Sequence, residues 1–136
     1  MKYFSIPLLC SLFFVEAQPE LHQFSHDGLS REYYLYIPDS LVAGAPLLFV
    51  FHGYSGSANG IMNYSGLNQI ADENGFVVCY PQGLIDDWDY AFWNVGYDWH
   101  VDETVDDVGF STSLAQYLQT EYNLSGLNTF STGMSN

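Results

Sequence analysis

Basic side chains are almost absent from this sequence. Lys2 and Arg31 are its only lysine and arginine among 136 residues, against sixteen Asp and Glu, for a formal charge of −14 at pH 7. Such a surface repels phosphates and excludes nucleic acid as a partner. It favours a soluble, acidic protein with neutral or cationic partners. Cysteine is nearly missing too, at Cys10 and Cys79. No run approaches the roughly 20 apolar residues that a membrane helix needs. There is no internal repeat and no low-complexity linker. What is plentiful is core material: 48% of the residues are hydrophobic and 18% aromatic, which excludes a disordered acidic tail. The length suits one domain and not two.

The N-terminus is a different kind of sequence. Lys2 is a minimal basic start, residues 4–15 (FSIPLLCSLFFV) are a short apolar run, and Val15-Glu16-Ala17 offers a small residue at a cut site. Residues 1–17 read as a secretory signal peptide. The expected mature chain, residues 18–136, is exported to the extracellular space or periplasm and is free of the membrane. Removing the leader leaves Cys79 alone, so no internal disulfide is expected. Cys79 lies in the apolar run FVVCY, where a buried, inert thiol is expected.

Residues 32–37 (EYYLYI) predict a strand that Pro38 stops. Residues 47–51 (LLFVF) predict a strand covered on both faces, ended by His52-Gly53. A Gly- and Ser-rich loop is expected over residues 54–60. Leu67, Ile70 and Ala71 then recur at helical spacing until Gly75. Residues 76–80 predict another buried strand, closed by Pro81. A helix is expected between Val105 and Tyr122, capped by Thr104 with Asp107 three residues on, with Val108, Phe110, Leu114, Tyr117 and Leu118 on its packed face. Residues 129–132 form a last strand. Strands alternating with helices predict an α/β fold, a mostly parallel sheet with flanking helices.

A long aromatic and acidic connection runs from Gln82 to Glu103; the stretch from Asp86 to Asp107 is dense in acids but lacks the glycine and terminal Glu of an EF-hand loop, so a solvated acidic loop is expected. Six rings crowd its middle: Trp88, Tyr90, Phe92, Trp93, Tyr97 and Trp99. They stack on a substrate or roof the domain, and Trp93 and Trp88 are the candidate substrate contacts. His22 and His26, near the mature N-terminus, are expected to be exposed.

Gly133-Met134-Ser135-Asn136 follows the last strand directly, the front half of the nucleophile-elbow pattern G-x-S-x-G. A nucleophilic serine must stand on a sharp, strained turn clear of the sheet, and a glycine two residues before it keeps that turn from clashing. His52-Gly53-Tyr54, at the end of an apolar strand some eighty residues earlier, stands where such folds place an oxyanion loop. The candidate catalytic residue is therefore Ser135, with the backbone amides of Tyr54 and Asn136 as oxyanion donors. Gly53 and His52 would support the loop, His52 bracing it through its imidazole without acting as the base.

Five segments occur in order: REYYLYIP (31–38), PLLFVFHG (46–53), GFVVCYPQG (75–83), VDDVGF (105–110) and TGMSN (132–136). Together they resemble the secreted polyhydroxybutyrate depolymerase and feruloyl esterase-type family of α/β-hydrolases, over nearly all of the chain from Leu29 onward. The resemblance implies a serine esterase: Ser135 attacks an ester carbonyl and water hydrolyses the acyl-enzyme, with no metal and no cofactor. It implies an ester substrate, possibly polymeric, such as a polyester or an esterified polysaccharide. In this fold the triad Asp and His follow the serine, and nothing follows Asn136. The expectation is thus the N-terminal half of an α/β-hydrolase domain, truncated after the elbow and inactive by itself. His100, with Asp98, Asp102 and Asp106 nearby, precedes the serine and is not the expected base. The alternatives are a serine peptidase of the same fold and an inactive polysaccharide- or polyester-binding remnant.

Overall fold

The computed structural model describes residues 17–135; the predicted leader up to Glu16, and Asn136, lie outside the described residues. Among the described residues seven strands and three α-helices follow one another: β1 (Glu20–His26), β2 (Leu29–Tyr36), β3 (Leu47–Phe51), α1 (Ala58–Ser65), α2 (Leu67–Asn74), β4 (Val77–Pro81), β5 (Leu84–Ile85), β6 (Ala91–Phe92), α3 (Asp107–Glu121) and β7 (Thr129–Gly133). The main sheet has the order β1-β2-β4-β3-β7. Its site-bearing half, β4-β3-β7, is parallel, as expected for strand–helix–strand units. β2 and β1 extend it as antiparallel neighbours.

Strand side chains alternate between two cores, because successive residues of a strand point to opposite faces. Val77 and Cys79 of β4 join Leu47 and Phe49 of β3 beneath Phe110, Leu114 and Leu118 of α3. Val78 and Tyr80 join Val50 against Ala58, Ile61, Met62 and Ala71 of α1 and α2. Leu47, Val77, Phe110, Leu114 and Leu118 are fully buried, and burial of such a Val, Leu or Phe contributes about 1.5–3 kcal/mol each. Cys79 is fully buried as well, and burial pushes its thiol well above the ordinary range.

Several expectations are corrected. His22 and His26, expected to be exposed, lie on a strand: with Phe24 they alternate inward along β1, and His22 stacks on Tyr33 at 5.2 Å. The turn after β1 is Asp27-Gly28, both with positive φ (49° and 77°), the type that fits the twist of a two-residue hairpin. The expected loop over residues 54–60 gives way to α1 at Ala58, because Ser57 caps it by accepting from the Gly60 amide at 3.0 Å. Ile70 turns out 44% exposed while Ala71 is buried. α3 starts later than predicted. Asn94 Nδ2 donates to the carbonyls of Glu103 and Val105, which holds residues 103–105 outside the helix and leaves Asp106 as the cap, accepting from the Gly109 amide. Val108, expected in the core, is 73% exposed.

Candidate active site

β3 and β7 run parallel and end side by side, with Phe51 opposite Gly133. Ligands of open parallel sheets bind at the C-terminal strand ends, and both candidate loops leave from there. A Cβ on Gly133 would lie 3.1 Å from the Phe51 carbonyl oxygen and 3.2 Å from its Cβ, so a side chain there would press on β3 and shift it by a few tenths of an ångström. The Met134 amide donates back to the same carbonyl at 3.3 Å. Ser135 follows with φ at 61°, a left-handed conformation that costs a non-glycine residue about 1–2 kcal/mol. Asn136, the other expected oxyanion donor, is outside the described residues.

The loop after β3 is held by its own histidine. His52 is 2% exposed. Its Nε2 accepts from the Gly83 amide at 3.0 Å, which fixes the other tautomer position, so Nδ1–H donates to the Gly53 carbonyl at 2.8 Å. Burial lowers its pKa, with the Gly53 bond opposing. Both ring nitrogens are occupied, so the ring is a brace with no nitrogen free to accept a serine proton. The Ser55 amide donates to the Ala91 carbonyl and the Gly56 amide to Gly53, whereas the Tyr54 amide has no acceptor among the described residues. Gly83 allows no side chain at all: a Cβ would lie 2.3 Å from the Phe92 carbonyl oxygen. Gly83→Ala is therefore expected to push β5 off β6, weaken the His52 brace and destabilise the fold by about 1–3 kcal/mol, read from the midpoint of urea unfolding.

In the connection from Gln82 to Asp107, Asp87, Asp89, Asp98, Asp102 and Asp106 are exposed, as expected of a solvated acidic loop, but two acids of this stretch are not. Asp86 and Asp107 are both buried, and each organises it. Asp86 accepts from the Tyr54 hydroxyl at 2.7 Å, from the amides of Trp88 and Tyr90 at 2.9 Å, and from His100 Nε2 at 3.2 Å. Burial alone would raise its pKa, but the bonds from Tyr54, Tyr90, His100 and Trp88 outweigh it and hold it at about 2. The Tyr54 phenol is pushed up to about 12, first by burial and then by Asp86. A carboxylate whose pKa is depressed on folding stabilises above its ordinary value of 3.8 and loses that contribution as the pH falls towards 2. The loop is expected to open over this acid window, with a change in tryptophan emission that Asp86→Asn abolishes.

Asp107 was not singled out as a site residue, yet it ties three elements together. Its Oδ1 accepts from Arg31 of β2 at 2.5 Å, and its Oδ2 from the Asn94 amide at 2.6 Å. The adjacent Trp93 ring lies 4.9 Å from the His52 ring, and its Nε1 donates to the His52 carbonyl at 2.8 Å. Arg31 itself is 1% exposed and sits 4.0 Å over the Phe110 ring. The chain's scarcity of bases was the available signal: one of its two had a buried acid to find.

Two cavities meet at Ser135. One, of about 380 Å³, is walled by Phe51, His52, Trp93, Asp107, Val108 and Met134. The other, of about 300 Å³, is lined by Tyr54, Tyr97 and Trp99, the last two rings stacked at 4.4 Å and 12°. The structure thus brings together Ser135, Gly133, His52, Tyr54 and Trp93. Trp88 lines neither cavity and packs near His100 at 5.7 Å. His100 is buried against Phe92 at 4.6 Å and lines neither cavity.

No model of a protein family matches the chain. A polyhydroxybutyrate depolymerase of Talaromyces funiculosus is 34% identical over 77 residues, 52% of this chain and 23% of that protein. Feruloyl esterase B of Thermothelomyces thermophilus is 32% identical over 62 residues, 46% of this chain and 21% of that protein. The acetyl xylan esterase structure from Aspergillus awamori superposes with a TM-score of 0.60 at 22% identity, over 84% of this chain and 42% of that one. The matched stretches thus span less than a quarter of these curated relatives and under half of the solved structure. The chain has the α/β-hydrolase fold, and about half of it is similar in sequence to curated polyhydroxybutyrate depolymerase and feruloyl esterase.

Proposed function

We propose that the protein is a secreted serine carboxylic-ester hydrolase in which Ser135 is the nucleophile. The observation that carries this reading is the left-handed Ser135 one residue beyond the end of β7, at the meeting point of two cavities. Its hydroxyl attacks the ester carbonyl, the carbonyl oxygen gains negative charge, and the alcohol leaves with a proton to give an acyl-enzyme that water then hydrolyses. The Tyr54 amide, without an acceptor among the described residues, and the amide of Asn136 are the donors for the oxyanion; loss of one such donor typically costs about 3 kcal/mol of transition-state stabilisation. His52 holds the Tyr54 loop, and Trp93 walls the larger cavity.

No hydrogen bond reaches the Ser135 hydroxyl among the described residues, and His52 and His100 are both engaged elsewhere. The base and its orienting acid are then contributed by residues C-terminal to Ser135, in the chain order usual for this fold. The substrates are esters of the kinds named for the relatives, hydroxyalkanoate polyesters or feruloylated and acetylated polysaccharides. The leader-like residues 1–17 support export, and no helix among the described residues is long and apolar enough to cross a membrane; the mature protein would begin at Gln18.

The test is turnover of nitrophenyl acetate and butyrate by the natural gene product in its full extent. A burst of nitrophenol equal to the enzyme concentration, followed by steady turnover, is the expected record of an acyl-enzyme. No hydrolysis of either ester would sink the reading.

A further inference from the structure

Away from Ser135, the β1–β2 turn meets the first turn of α3. There His26, Asp27 and Asp106 bring one imidazole nitrogen and two carboxylate oxygens within 4.8 Å of one another. His26 Nε2 lies 3.6 Å from Asp27 Oδ2 and 3.7 Å from Asp106 Oδ2, too far for hydrogen bonds. It is nevertheless a buried atom with no hydrogen-bond partner, on a side chain only 15% exposed and backed by Phe110 at 6.3 Å. An orphaned buried nitrogen facing two carboxylates asks for a cation between them. No side chain supplies one: the one Lys or Arg among the described residues, Arg31, is bound to Asp107. Gly109 lets the Asp106 carboxylate approach, since a Cβ there would lie 2.0 Å from Asp106 Oδ2 and 3.0 Å from His26 Nε2.

The two distances at His26 Nε2, 3.6 and 3.7 Å, are close to those across a metal ion. Two metal–ligand bonds of about 2.0–2.2 Å meeting at a tetrahedral angle span roughly 3.3–3.6 Å. A set of one imidazole and two carboxylates suits a first-row divalent ion better than calcium, which prefers six or more oxygens. We propose that His26, Asp27 and Asp106 bind Zn²⁺, with water as the fourth ligand. Asp106 Oδ1 stays on the Gly109 amide at 2.8 Å, so Oδ2 is the ligand atom and the helix cap is kept. The ion staples the β1–β2 turn to the start of α3 and takes no part in ester chemistry. The proposal does not depend on the esterase reading.

The experiment is calorimetric titration of the metal-stripped protein with ZnCl₂ at neutral pH, with thermal unfolding alongside. One ion per chain and a higher melting temperature are expected, and His26→Gln should weaken binding at least about tenfold. Asp27→Asn should do the same while keeping the turn, because Asn also adopts positive φ readily; it guards against a His26 variant that fails to fold. No saturable binding, binding that Asp27→Asn leaves unchanged, or a preference for Ca²⁺ over Zn²⁺ would overturn the assignment.

Discussion

Ser135→Ala is expected to lower kcat/KM of the natural protein for a short-chain chromogenic ester by about four to six orders of magnitude, with KM little changed. The loss falls on kcat because the hydroxyl makes its bond only on the way to the tetrahedral state. The two cavities beside Ser135 keep their other walls, Phe51, Trp93 and Met134 on one side and Tyr54, Tyr97 and Trp99 on the other. Ala in place of Ser leaves the left-handed turn with a Cβ as before, so the melting temperature should hardly move. A variant that retains activity within tenfold of the parent would remove Ser135 from the chemistry.

Arg31→Met is expected to cost about 3–5 kcal/mol of stability, measured by urea unfolding. The guanidinium is 1% exposed and its partner Asp107 is 6% exposed, so the substitution strands a carboxylate away from water. The intact pair itself contributes little net stability, because desolvating two charges cancels most of their attraction. Converting both residues, Arg31→Met with Asp107→Leu, should therefore recover part of the loss. It will not recover all of it, since the Asn94 amide also loses its acceptor on Asp107. Activity should fall in both variants through that amide: residues 93 and 94 carry the wall beside His52. A cost below about 1 kcal/mol for the single variant would mean that water reaches Asp107.

The parts of the fold that were legible are those whose pattern is local. Doubly buried β3 and β4 read as unbroken apolar runs, and Phe110, Leu114 and Leu118 keep helical spacing. β1 escaped because its inward positions are His22, Phe24 and His26, two of them polar; the Asp27-Gly28 pair was the overlooked hairpin signal. α1 escaped because Gly60 and its neighbouring serines look like loop, although Ala58, Ile61 and Met62 mark a buried face. At the candidate site, the placing of Ser135 and His52 at neighbouring strand ends was legible, because each lies in a short motif after an apolar strand. Asp107 was not, because its burial depends on an arginine 76 residues earlier in the chain. Asp86 was hidden likewise: among many acids, only the folded loop shows which one gathers four donors.

The measurement that bears most directly on the central claim is peptide mapping by mass spectrometry after the natural protein has reacted with a phosphonate ester that traps activated serines. The account predicts one adduct per molecule, on the peptide containing Ser135, with loss of esterase activity in proportion to labelling. Full inactivation with the adduct on another residue, or esterase turnover with no adduct formed, would contradict it.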